Sequence, residues 1–134
     1  MVESHPAGAA GARRSVLVVE DDTVAGMLLH DALTFEGYEV ELVRGIATAR
    51  QALSTSTPDV VVADLTLADG SGFDLIKTVR GRTEDGPPIP IIVLSGHHQR
   101  HLQKQALDLG ANAYVTKPFS PSDLIDRIAV ALRS

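Results

Sequence analysis

Cysteine and tryptophan are both missing from the 134 residues. Without thiols the chain has no disulfide, no thiolate metal site and no cysteine nucleophile. Aromatic residues make up only 4%, too few for the stacking platforms that hold single-stranded nucleic acid. A net charge of -5 argues against a protein that neutralises a phosphate backbone, so no direct DNA binding is expected. No apolar run approaches the roughly 20 residues of a membrane span. Met1 to Arg14 lacks the apolar stretch of a secretory signal, which makes the cytoplasm the default location. The dinucleotide-binding glycine fingerprint and the phosphate-binding glycine–lysine loop are missing as well, so nucleotide binding through a Gly-rich loop is disfavoured.

What is present reads as one soluble globular domain with an ordinary core: hydrophobic residues are 44% and charged residues 22%. Residues 1–14, rich in Ala and Gly without periodicity, are expected to be a flexible tail, and residues 15–134 the folded unit. Ser15 to Glu20 reads as a first strand, with Glu20-Asp21-Asp22 directly after it. A helix is predicted from about Thr23 to Phe35, burying Ala25, Leu28, Leu29 and Ala32, with Gly37 as its stop. Tyr38 to Val43 reads as a second strand, with Val40 and Leu42 on one face, and Ile46, Ala49 and Leu53 mark a second helix. The β-branched run Val60 to Val62 predicts a strand buried on both faces and ending at Asp64. A third helix starts near Phe73, and Gly81 to Pro90, with three prolines, is a loop. Ile89 to Ser95 and Ala113 to Lys117 are the fourth and fifth strands, with a helix through Leu102, Ala106 and Leu109 between them, stopped by Gly110. The last helix opens with Ser120 as N-cap and Pro121 in its first position, and buries Leu124, Ile125, Ile128 and Leu132. Five strands alternating with five helices imply an α/β domain, its parallel sheet covered on both faces.

In such a sheet, ligands bind at the carboxyl ends of the strands. Acids stand at two of those ends: Glu20, Asp21 and Asp22 after the first strand, and Asp64 at the third. If the two strands are neighbours, the carboxylates converge. Two unit charges about 5 Å apart repel by roughly 3 kcal/mol at an effective dielectric near 20. One lysine cannot offset several such pairs, whereas a divalent cation can, and all-oxygen ligands suit Mg²⁺. Each acid alone reads better as a solvated helix cap, a role that Asp22 fits; it is their combination that favours a site. Ser95 and Lys117 end the next two strands. A hydroxyl and an ammonium around a carboxylate suit phosphoryl transfer, with Asp64 as covalent acceptor. His97, His98 and His101 read as a solvated polar segment, and His97 as a contributor to a partner surface.

Four pieces together resemble the receiver domain of two-component response regulators: Val18-Val19-Glu20-Asp21-Asp22, the stretch Asp64-Leu65-Thr66-Leu67-Ala68-Asp69-Gly70-Ser71-Gly72, Val93-Leu94-Ser95-Gly96, and Tyr114-Val115-Thr116-Lys117-Pro118-Phe119. The resemblance covers residues 15–134 and implies a flavodoxin-like sheet with strand order 2-1-3-4-5. It implies that Asp64 is the phosphoacceptor and that Glu20, Asp21, Asp64 and the carbonyl of Thr66 hold Mg²⁺. Lys117 would contact the phosphoryl group, with a cis bond to Pro118. Ser95 is the implied switch hydroxyl, and Tyr114 the aromatic that turns inward. The implied donor is a phosphohistidine on a histidine kinase or phosphotransfer protein. The output is a change in the face of helix 4, strand 5 and helix 5 that binds a downstream effector. A monomer or weak dimer is expected, since Asn112-Ala113 replaces an acidic pair common in the winged-helix members. Ala68 replaces a frequent proline, Ser95 the commoner threonine, and Thr66 and His97 occupy positions that tune hydrolysis in the family.

The resemblance is compatible with a single-domain regulator and with a receiver cut from a longer protein such as a hybrid kinase. It also implies that the chain is not an enzyme beyond its own phosphorylation and dephosphorylation. A Mg²⁺-dependent aspartyl phosphatase would want Asp-x-Asp at the nucleophile, and Thr66 fills that second place. A binding module with a dead site is opposed by the intact acids, Ser95 and Lys117. Flavin binding is opposed by the lack of tryptophan and of a phosphate-cradling first loop.

Overall fold

The computed structural model describes residues 13–82 and 87–133. Five parallel strands form one sheet: β1 (Ser15–Val19), β2 (Glu39–Val43), β3 (Val60–Asp64), β4 (Ile91–Ser95) and β5 (Ala113–Thr116), in the order β2-β1-β3-β4-β5. Five helices connect and follow them: α1 (Thr23–Phe35), α2 (Ile46–Thr55), α3 (Gly72–Arg80), α4 (Arg100–Leu109) and α5 (Pro121–Arg133). This is the expected strand order. The loop after β3 also holds a two-residue antiparallel ribbon, Thr66–Leu67 against Gly70–Ser71, which the sequence did not announce. No helix among the described residues is long and apolar enough to cross a membrane.

Alternation along the buried strands divides the core between the two faces. Leu17, Val19, Val61, Ala63, Ile91 and Val93 pack with α2, α3 and α4, whereas Val16, Val18, Val60, Val62, Ile92 and Leu94 pack with α1 and α5. β1, β3 and β4 are therefore apolar on both sides, as a parallel sheet between two helical layers requires.

Several predicted ends are confirmed by their hydrogen bonds. The Asp22 carboxylate accepts the Val24 and Ala25 amides and caps α1. Ser120 Oγ accepts the Asp123 amide at the start of α5. Gly37 and Gly110 take the left-handed backbone that ends α1 and α4. The Lys117–Pro118 bond is cis.

Some expectations need correction. β1 ends at Val19, one residue before Glu20, and β2 begins at Glu39, one residue after Tyr38. α1 buries Gly26, Leu29 and Leu33, while Leu28 is 63% exposed. Apolar residues surround more than half of this helix, so periodicity alone did not fix which stripe meets the sheet. β4 begins at Ile91 instead of Ile89, because Pro88 and Pro90 offer no amide to a ladder. β5 ends at Thr116, one residue before Lys117. The expected tail lies outside the described residues except for Arg13 and Arg14, as do residues 83–86 of the proline-containing loop.

At the end of the sheet remote from the acids, Arg80 closes the base. Its guanidinium donates to the carbonyls of Ile89 (2.7 Å) and Gly110 (2.8 and 3.1 Å) and to Asn112 Oδ1 (3.1 Å). Asn112 Oδ1 also accepts the Ile91 amide at 2.8 Å.

Candidate functional site

β1 and β3 are neighbours, so the acids that follow one meet the acid that ends the other. One ligand oxygen each from Glu20, Asp21 and Asp64 lies within 4.8 Å of the other two. Glu20 is 2% exposed and Asp64 is 6% exposed. Lys117 reaches across from the end of β5, its Nζ 2.8 Å from Asp64 Oδ2 and 3.2 Å from Glu20 Oε1.

Backbone amides fix each carboxylate. Asp64 Oδ1 accepts the Thr66 amide (3.0 Å), Glu20 Oε2 the Asp22 amide (3.2 Å) and Asp21 Oδ2 the Ala68 amide (2.8 Å). The turn from β3 into α3 is so close that a Cβ on Gly72 would stand 2.8 Å from the Asp64 carbonyl oxygen. Only glycine fits there.

Three carboxylates and one ammonium leave the cluster short of positive charge. Burial lifts the Glu20 carboxyl above its ordinary range; the Asp22 amide opposes this, and the Asp64 charge adds to it. Burial works to lower the Lys117 ammonium, but its contacts with Asp64 and Glu20 reverse this and raise it. The donor atoms are all hard oxygens, so the residues present fit Mg²⁺ or a similar cation.

Ser95 follows at the end of β4 and is fully buried. Its Oγ accepts the His97 amide at 2.9 Å. Tyr114, 7% exposed, donates its hydroxyl to the His97 carbonyl at 2.9 Å. The His97 ring Nε2 lies 3.3 Å from Thr66 Oγ1. The chain around His97 thus links Ser95, Tyr114 and the loop after Asp64. Sequence reasoning flagged His97 as a contributor to a partner surface and as a position that tunes hydrolysis in the family, not as a main-chain link. Its main-chain role leaves no mark in residue type.

A second residue missed from sequence is Asp69. Its carboxylate accepts the Ile46 amide (2.8 Å) and the Ala47 amide (3.1 Å) at the start of α2. The available signal was Gly45, a helix entry with no side chain to cap it.

The family model for the response regulator receiver domain matches residues 16–129. The chain belongs to this family. As a receiver it is 40% identical over 118 residues to the transcriptional regulatory protein KdpE of Staphylococcus aureus, a match covering 88% of this chain and 49% of that protein. It is 36% identical over 121 residues to the regulatory protein VirG of Agrobacterium tumefaciens, covering 90% of this chain and 44% of that protein. The receiver chain thus spans about half the length of these curated relatives. Among solved structures, the CheY-like receiver domain protein of Methanospirillum hungatei superposes with a TM-score of 0.83 at 28% identity, covering 91% of this chain and 95% of that one. The BeF3-activated N-terminal receiver domain of Klebsiella pneumoniae RstA superposes with a TM-score of 0.81 at 26% identity, covering 90% and 100%.

Proposed function

We propose that this receiver is a phosphorylation-operated switch in which Asp64 accepts a phosphoryl group from a phosphohistidine on a histidine kinase or phosphotransfer protein. The folded switch unit runs from residue 15 to 134. The carrying observation is the convergence of Asp64 with Glu20, Asp21 and Lys117 in one largely buried pocket at the strand ends.

A carboxylate oxygen of Asp64 attacks phosphorus, the phosphorus–nitrogen bond breaks, and the electron pair leaves with the donor imidazole. The Lys117 ammonium, 2.8 Å from the acceptor carboxylate, follows the charge onto the phosphoryl oxygens. Glu20, Asp21, Asp64 and the Thr66 carbonyl would hold Mg²⁺, which supplies charge neutralisation for the carboxylates and the phosphoryl oxygens. Ser95 Oγ now accepts from the His97 amide; to serve the phosphoryl group it must turn toward Asp64 and release that amide. Tyr114 is bonded to the His97 carbonyl, so the same movement reaches the face of α4, β5 and α5, where a downstream effector would read it. On that face Asn112 is occupied internally by Ile91 and Arg80, which supports a monomer or weak dimer in place of a charged dimer contact.

The test is intact mass after incubation with Mg²⁺ and acetyl phosphate. One phosphoryl adduct is expected on the wild type and none on Asp64→Asn. An adduct that survives this substitution would refute the assignment.

A further inference from the structure

We infer that Asp69 is a positioning residue for the metal pocket, acting from the tip of the loop after β3 by fastening that loop to the N-terminus of α2. The inference rests on the reading of Glu20, Asp21, Asp64 and Thr66 as a Mg²⁺ site.

The first amides of a helix need acceptors, and a residue at the N-cap ordinarily supplies one. At α2 that position is Gly45, which has no side chain. Both oxygens of Asp69, 22 and 23 residues further along the chain, take the Ile46 and Ala47 amides instead. An anion at a helix N-terminus is favoured by the helix dipole as well. The fit requires the glycine: a Cβ on Gly45 would stand 2.6 Å from Asp69 Oδ1. The loop is also pressed against α2 at the next residue, where a Cβ on Gly70 would meet Ile46 Cγ1 at 3.1 Å.

This tether bears on the pocket through one peptide unit. Ala68, next to Asp69, donates its amide to Asp21 Oδ2 at 2.8 Å. Leu67 is buried in the core cluster that contains Ile46, and Thr66, with its carbonyl, directly precedes it. Asp69 therefore fixes the far end of the segment that holds Asp21 in place and presents the Thr66 oxygen. Ala68 makes this more consequential, because the loop has no proline there to restrain φ.

A residue that only caps α2 would be replaceable by a cap on α2 itself. The experiment compares wild type, Asp69→Ala and the double variant Asp69→Ala/Gly45→Ser by calorimetric Mg²⁺ titration and thermal melting. Gly45 has an extended backbone (φ -161°) that serine adopts freely, and serine there can accept an amide of the first turn. Titrations run in about 0.5 M salt, where screening falls to about 4 Å and the lost exposed charge counts for little. They are made well below every melting midpoint, so the reading does not depend on complete recovery of stability. The expected result is a loss of about tenfold in Mg²⁺ affinity in Asp69→Ala that persists in the double variant while its melting temperature rises again. Affinity within about twofold of wild type in Asp69→Ala, or restored in the double variant, would overturn the inference and leave Asp69 as a helix cap only. Absence of Mg²⁺ binding in the wild type would instead overturn the underlying pocket assignment, and this inference with it.

Discussion

Replacing Glu20 by glutamine is expected to stabilise the metal-free protein, although Glu20 is buried and paired with a lysine. Its ligand oxygen lies within 4.8 Å of those of Asp21 and Asp64, so each of the two repulsions is about 3.5 kcal/mol at an effective dielectric near 20. Lys117, at 3.2 Å, returns about 5 kcal/mol on the same scale. The balance is a net repulsion of about 2 kcal/mol, to which the desolvation of a 2% exposed carboxylate adds. Glutamine keeps an oxygen for the Lys117 ammonium or the Asp22 amide and offers Asp64 a donor. In EDTA at pH 7.5, Glu20→Gln should therefore be more stable by about 1–2 kcal/mol, a rise of about 3–8 °C in melting temperature. Mg²⁺ reverses the ranking, because binding stabilises the wild type by about 2.7 kcal/mol at a hundredfold excess over Kd, and the variant has lost a ligand.

The pH dependence carries the same sign. The native Glu20 carboxyl titrates above its ordinary value of 4.5, so on acidification the folded state binds this proton before the unfolded state does. The stability linked to that proton is fully present below pH 4.5 and is lost as pH rises through the raised native value. The advantage of Glu20→Gln in EDTA should shrink as the pH falls toward 4.5. Differential scanning calorimetry with and without Mg²⁺ reads all of this. A metal-free Glu20→Gln less stable than wild type would show that the Lys117 pairing dominates, and the case for a cation-hungry pocket would collapse.

Two further substitutions probe the site. Gly72→Ala places a methyl 2.8 Å from the Asp64 carbonyl oxygen and should cost about 1–3 kcal/mol in urea denaturation; an unchanged midpoint would mean that the turn into α3 has room to relax. Lys117→Met should slow phosphorylation by acetyl phosphate by about 10–100-fold yet tighten Mg²⁺ binding, since a competing ammonium leaves the carboxylates, and a rate equal to wild type would remove Lys117 from the reaction.

The five strands and the placing of the acids, Ser95 and Lys117 at their ends were legible because short apolar runs end in polar residues, whereas the strand order came only from the resemblance to the receiver family. The side of α1 that meets the sheet was not legible: Val24, Met27 and Leu28 are as apolar as Leu29 and Leu33, yet the first three are exposed. The start of β4 was misplaced because the apolar pattern includes Ile89, while hydrogen bonding is set by the prolines around it. Asp69 escaped notice because its partners are backbone amides far back along the chain. The tie from Tyr114 and Ser95 to His97 uses main-chain atoms that any residue would carry.

The guanidinium of Arg80 has a mechanical consequence. By gripping the Ile89 carbonyl just ahead of β4, the turn after α4 and Asn112 at once, with Asn112 in turn holding the Ile91 amide, it makes that rim of the domain a fixed hub. Ser95 lies at the opposite end of β4, and Tyr114, level with Val93 in the sheet, reaches that end through its hydroxyl on the His97 carbonyl, so the strand ends are like the free tips of blades clamped at the root. Amide exchange should accordingly be slowest at Ile91 and fastest around Gly96 and His97, and a displacement at the tips turns into rotation of α4 about its anchored end.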